Sequence, residues 1–263
     1  SIEGVAETKG ALYQALPADG TAIINADDAF AAFFAGLAGS RRQLTFGLER
    51  PAAVRAEALA LSAAGSRFTL VTPGGCVDIT LPLPGRHNVV NALAAAAAAR
   101  ALDVPLATIA TGLAQAEGVA GRLRRIETAA GWSVLDDSYN ANPSSMAAGI
   151  EALLLAPGEH WLVLGDMAEL GPEAHALHAA LGARARERGI TRLFATGPLG
   201  MATVAAFGPG GEHFVDKAAL AARLRALLHA GVTCLVKGSR SAGMEAVVSA
   251  LTDPSDRTEG GPA

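Results

Sequence analysis

The chain has 263 residues, 51% of them hydrophobic and 17% charged, with a formal net charge of −4 and a pI near 5.9. That length favours two domains over one, and that composition can bury sizeable cores, which excludes a disordered chain. The acidic balance and the lack of a basic stripe argue against nucleic acid or an anionic membrane as the main partner. The most apolar segment, VVNALAAAAAARALDV (89–104), is short and interrupted by Asn91 and Arg100, so no membrane span is expected.

In chain order, residues 2–16 place Val5, Leu12 and Leu16 among charges ahead of Pro17, which predicts a helix ending there. TAIINADD (21–28) reads as a strand entering a turn, followed by a short helix near 29–37 and a strand over QLTFG (43–47). AVRAEALALS (53–62), SRFTLVTP (66–73) and CVDITLPL (76–83) predict antiparallel strands joined by tight turns at Ala64-Gly65 and Pro73-Gly74-Gly75. Helices are expected over 87–101 and 105–116. Beyond GVAGRLRR (118–125) the texture changes. Strand signals WSVLDD (132–137), HWLVLGD (160–166), RLFATG (192–197) and TCLVKG (233–238) alternate with helical stretches near 143–155, 171–188, 198–206, 217–229 and 243–251. A further short strand is expected at HFVD (213–216). Such a βαβα series predicts an α/β fold with a parallel sheet wrapped by helices. The expected organisation is one domain over 1–121, a second over 122–252, and a disordered polar tail over 253–263. Cys76 and Cys234 lie far apart in apolar runs and read as buried thiols of a reducing compartment. The polar opening SIEGVAETKG is no signal peptide, so a cytoplasmic protein is expected; it is also expected to be a monomer.

Chemistry concentrates at strand ends. The stretch VLDDSYNANPSS ends an apolar strand in Asp136 and Asp137 and runs into a turn rich in Ser and Asn. Either carboxylate could cap the helix that starts near Pro143, or could face a ligand, because the C-terminal edge of an open α/β sheet is where ligands bind. Gly165-Asp166 and Lys237-Gly238-Ser239-Arg240-Ser241 should lie on the same edge, where Lys237 and Arg240 suit a carboxylate or phosphate. In GRHNVVNALAAA (85–96), Asn88 and Asn91 stand three apart on one helix face and can read the donor and acceptor edge of a base such as adenine. Capping by His87 or Asn88 is the plainer alternative. Lys9 reads locally as a solvated helix lysine, and no phosphate loop of the form G-x-x-x-x-G-K-[ST] occurs.

Six stretches, SIEGVAETKGALYQALPADGTAIINADD, LPLPGRHNVVNALAAA, GRLRRI, LDDSYNANPSSM, VLGDMAELG and LVKGSRSAGMEAVV, together resemble the Mur ligases, the ATP-dependent amide-forming enzymes of peptidoglycan precursor synthesis. GDMAELG and DDSYNANP are similar to the branch that adds D-alanyl-D-alanine. The resemblance implies part of the family's central ATP-binding domain followed by a Rossmann-like C-terminal domain. It implies ATP and Mg²⁺ as cofactors, and UDP-N-acetylmuramoyl-tripeptide and D-Ala-D-Ala as partners, joined through an acyl phosphate. By position it implies a carbamylated Lys9 as a Mg²⁺ ligand, Asn88 and Asn91 beside adenine, Arg122 at the ATP phosphates and Asp137 at the ribose. Asp136 would then be the structural neighbour of Asp137. Lys237, Ser239 and Arg240 would face the incoming dipeptide or the acyl phosphate. The sequence departs from the family in lacking the UDP-sugar domain, the phosphate loop and the Glu and His that bind Mg²⁺, and in carrying Ala120 where Pro is usual before Gly-Arg. Ser1 is no initiator residue, so the chain is expected to be a fragment, inactive alone. The alternative is a non-catalytic nucleotide- or peptide-binding module derived from such a ligase.

Overall fold

A computed structural model describes residues 1–252. The chain divides into two compact units, residues 1–117 and 118 onward. The expected tail, 253–263, lies outside the described residues.

The first unit opens with α1 (Ile2–Gln14), β1 (Thr21–Asn25), α2 (Ala31–Ala38) and β2 (Arg42–Gly47). It continues through β3 (Val54–Ser62), β4 (Gly65–Thr72) and β5 (Gly75–Leu81) to α3 (Arg86–Ala101) and α4 (Leu106–Ala114). Its sheet runs β1-β2-β3-β4-β5, parallel as far as β3 and antiparallel from there. Helix α3 buries Val89, Ala92, Leu93, Ala96 and Ala97, the apolar stripe of an amphipathic helix, against Phe46, Val54, Phe68, Leu70 and Ile79. Cys76 is exposed, not buried as expected. It sits on β5, the last strand of the sheet, and shares its outward face with exposed Asp78 and Thr80, while Ile79 and Leu81 turn inward.

In the second unit, β6 (Arg124–Glu127), β7 (Ser133–Asp137), α5 (Pro143–Leu153), β8 (Glu159–Leu164) and α6 (Ala174–Glu187) come first. Then follow β9 (Arg192–Thr196), α7 (Gly200–Phe207), β10 (Gly211–Phe214), α8 (Lys217–Leu227), β11 (Val232–Lys237) and α9 (Glu245–Thr252). The strand order is β10-β9-β8-β11-β7-β6. All neighbours are parallel except β6, an antiparallel edge strand. Both faces are covered, so successive residues of one strand feed different cores. Leu135, Leu162 and Leu235 pack with Met146, Ile150 and Leu181, whereas Val134, Val163 and Val236 pack with Leu220, Leu224 and Val247. This explains the unbroken apolar runs in the sequence. Each such side chain taken fully from water contributes about 1.5–3 kcal/mol. Among the described residues no helix is long and apolar enough to cross a membrane.

Candidate functional site

Because β7, β8, β9, β10 and β11 are parallel, the turns that follow them lie along one edge of the second unit's sheet. Lys237 is the register partner of Asp137 on the adjacent strand. Its Nζ donates to Asp137 Oδ2 at 2.5 Å and to the Asn140 carbonyl at 2.8 Å, and the residue is only 2% exposed. Burial pushes the Asp137 carboxyl above the ordinary carboxylate range, and the Lys237 ammonium and the Leu123 N–H pull against that shift. The Lys237 pair therefore fixes where the carboxylate sits without fully offsetting its desolvation.

Asp136, one residue earlier, points the other way. It accepts from the Gly121 N–H at 2.8 Å and from the Ser138 hydroxyl at 2.6 Å. Neither aspartate caps α5. That role falls to Asn142, which accepts from the Ser145 N–H at 2.8 Å while its own N–H donates to the Ser145 hydroxyl oxygen at 3.0 Å.

The Gly121-Arg122 turn folds onto this strand end. Gly121 has φ +77°, and a Cβ there would lie 3.0 Å from Tyr139 Cβ, so the position requires glycine. The Tyr139 N–H donates to the Gly121 carbonyl at 3.1 Å, and the Arg122 guanidinium lies 4.5 Å from the Tyr139 ring centroid. These bonds tie Gly121 and Arg122 to the second unit, which begins at Gly118.

Further along the same edge is a cavity of about 420 Å³ lined by Asp166, Thr196, Gly197, Lys217, Ser239 and Ser241, among others. Its two carboxylates already have backbone partners. Asp166 accepts from the N–H groups of Leu199 and Gly200 at the start of α7, and Asp216 accepts from Ala219 as the N-cap of α8. Gly197 has φ +97°, and a Cβ there would come within 2.6 Å of the Asp166 carboxylate. Lys217, by contrast, donates among the described residues to a neutral group, the Ala242 carbonyl at 2.8 Å. The cavity therefore holds a cation that makes no ion pair with a carboxylate among the described residues. Its Asp166 loop is held from below by buried His178, whose Nε2 accepts from the Met167 N–H at 3.0 Å. Nδ1 then carries the proton and faces the Ala174 carbonyl at 2.7 Å.

The remaining candidates belong to the first unit. Asn88 is half-buried, and its amide donates to the Pro84 carbonyl at 2.7 Å. Asn91 is exposed one turn on. Neither His87 nor Asn88 caps α3, whose N-cap is Gly85 with no side-chain bond. Lys9 is exposed on α1, one turn after buried Ala6 and next to buried Gly10. No group of three or more His, Cys, Asp or Glu among the described residues could hold a metal ion, so these residues do not by themselves make the Mg²⁺ site that a carbamylated Lys9 would join. The structure thus gathers Arg122, Asp137, Lys237, Ser239 and Arg240 along one sheet edge, and carries Lys9, Asn88 and Asn91 on separate helices of the other unit. Sequence reasoning missed Tyr139 and Lys217. The only signal for Lys217 was a cation opening a helix after a strand, and Tyr139 carried no signal beyond lying in the turn.

Comparison with known proteins gives a consistent family. Residues 1–99 match the Mur ligase middle domain, and residues 121–240 match the Mur ligase, glutamate ligase domain. The chain is 45% identical over 259 residues to UDP-N-acetylmuramoyl-tripeptide--D-alanyl-D-alanine ligase of Escherichia coli (strain K12), covering 96% of this chain and 56% of that protein. It is 34% identical to the Haemophilus influenzae protein of the same name, covering 96% and 56%. A crystal structure of MurF from Acinetobacter baumannii superposes with a TM-score of 0.87 at 33% identity, covering 95% of this chain and 55% of that one. MurF from Thermotoga maritima, solved in complex with ADP, shares the fold with a TM-score of 0.83 at 23% identity, covering 95% and 57%. The chain spans about half the length of the curated relatives it matches.

Proposed function

The chain belongs to the Mur ligase family, and from that premise we propose that it supplies the middle and C-terminal domains of an ATP-dependent ligase joining UDP-N-acetylmuramoyl-tripeptide to D-Ala-D-Ala. The 45% identity to the E. coli enzyme carries the choice of reaction. A tripeptide carboxylate oxygen takes the γ-phosphoryl group of ATP, and ADP leaves. The dipeptide nitrogen then attacks the acyl carbon, the amine gives up a proton, and phosphate departs as the amide forms.

In this reading Asp137 accepts the ribose hydroxyls, and Lys237 acts as a positioning residue rather than a reacting one, since two of its three donors are already occupied. Arg122 meets the ATP phosphates, Asn91 takes the base edge beside Asn88, and Ser239 and Arg240 face the dipeptide or the acyl phosphate. Lys217 receives the dipeptide carboxylate in the 420 Å³ cavity, because it is the cation there without a carboxylate partner among the described residues. Mg²⁺ would supply charge neutralisation at the phosphates, with the carbamate of Lys9 as one oxygen ligand.

The test is a chimera in which this chain replaces the matching part of the E. coli ligase. Phosphate release that requires both ATP and D-Ala-D-Ala supports the reading. Release driven instead by D-Glu or L-Lys would overturn the substrate. A folded chimera that binds ATP but never turns over would favour the non-catalytic module.

A further inference from the structure

Arg122 and Arg240 are 118 positions apart in the chain, yet both guanidinium groups meet the same aromatic ring. Arg122 lies 4.5 Å and Arg240 5.7 Å from the Tyr139 centroid. Tyr139 is 47% exposed, an unusual place for a ring held so firmly. Its N–H is bound to the Gly121 carbonyl, and the Gly121 N–H is bound to the buried Asp136 carboxylate. The ring thus stands on a backbone anchored in the sheet. The Arg122 guanidinium has no hydrogen bond or ion pair among the described residues, and Arg240 has one exposed partner, Glu245 at 3.0 Å. Two like charges drawn to one ring repel each other, and a multiply charged anion reaching both would relieve that repulsion. Guanidinium forks match phosphate oxygens two at a time.

We propose that Tyr139 is a positioning residue that couples Arg122 and Arg240 into one receptor for a phosphate chain. This rests on the ATP-dependent reading above and deepens it, because it adds Arg240 to the phosphate side and gives the exposed ring a purpose. Glu245 competes with the anion for Arg240. The ring, not the phenol hydroxyl, carries the effect.

The probe is inorganic tripolyphosphate, titrated calorimetrically into the 263-residue chain at low salt. Wild type should bind saturably, and Tyr139→Phe should bind within about twofold of it. Tyr139→Leu should weaken binding roughly three- to tenfold, the size of one or two exposed cation–π contacts, with an unchanged melting temperature in the absence of anion. Arg122→Ala and Arg240→Ala should each weaken binding, and the double variant should lose less than the product of the two, as for groups sharing one ligand. Glu245→Gln should tighten binding. No binding by wild type, wild-type affinity in Tyr139→Leu, or independent losses at the two arginines would each overturn the coupling. The ligase reading fails separately: a chimera that ligates while Tyr139→Leu leaves tripolyphosphate affinity untouched rejects the receptor alone, and an inactive chimera with intact coupling rejects the ligase alone.

Discussion

The end of β7 and the exposed side of α1 present ionisable groups in opposite ways. At the end of β7 both aspartates are paired before any ligand arrives, buried Asp136 with the Gly121 N–H and part-buried Asp137 with the buried Lys237 of β11. On α1, Lys9 is exposed, with no partner among the described residues. A pre-built site draws its geometry from the fold, so altering it must disturb the fold as well as the chemistry. An exposed candidate takes its geometry from whatever reaches it, so altering it should leave the fold untouched.

The largest expected effect breaks the pre-built side. Lys237→Met leaves Asp137 buried without its cation, and removal of one partner from a buried pair costs about 3–5 kcal/mol. Denaturant unfolding of the second unit should show the loss. A smaller loss would mean that the pair adds little to the fold. Next comes Asp136→Ala, which strips the Gly121 N–H and the Ser138 hydroxyl of their acceptor and should cost about 1–3 kcal/mol by the same measurement. Its neighbour should respond to pH. The folded carboxyl of Asp137 titrates above its unfolded value, so its contribution is present below the ordinary carboxylate range and is lost as pH rises through the raised value. The stability of wild type relative to Asp137→Asn should therefore fall across that acidic window and stay flat above it. A difference that rises with pH would reverse the account of its burial. The smallest effect belongs to α1: Lys9→Ala should stay within about 0.5 kcal/mol of wild type, as surface substitutions do. A larger loss would show that the two regions differ less than their exposure suggests.

What the sequence revealed follows from the range of each interaction. Strands such as WSVLDD and TCLVKG were legible because both faces are buried, which writes a continuous apolar run. β6 was not, because Arg124, Arg125 and Glu127 leave little hydrophobic signal in a short edge strand. Cys76 looked buried because its neighbours Val77 and Ile79 are apolar, and a period of two decides which face it takes. The two adjacent aspartates announced a strand end with chemistry, and adjacent strand residues must face opposite ways. Which one meets a cation depended on Lys237, a hundred residues on, and no local pattern reports that. The Tyr139 ring is the same case, since Arg240 reaches it only through the pairing of β11 with β7.

The central claim is that the β7 end holds a carboxylate ready for the sugar of a nucleotide. It is tested most directly by the ATP KM of Asp137→Asn in the ligating chimera, compared with ATP lacking its ribose hydroxyls. Charge-assisted hydrogen bonds contribute about 1.5–3 kcal/mol, and 1.4 kcal/mol is tenfold, so the KM for ATP should rise by about tenfold or more. Removing the ribose hydroxyls should cost less in the variant than in wild type, because the neutral asparagine oxygen accepts a weaker bond from them. An unchanged KM for ATP in Asp137→Asn would contradict the claim and leave Asp137 as a structural partner of Lys237.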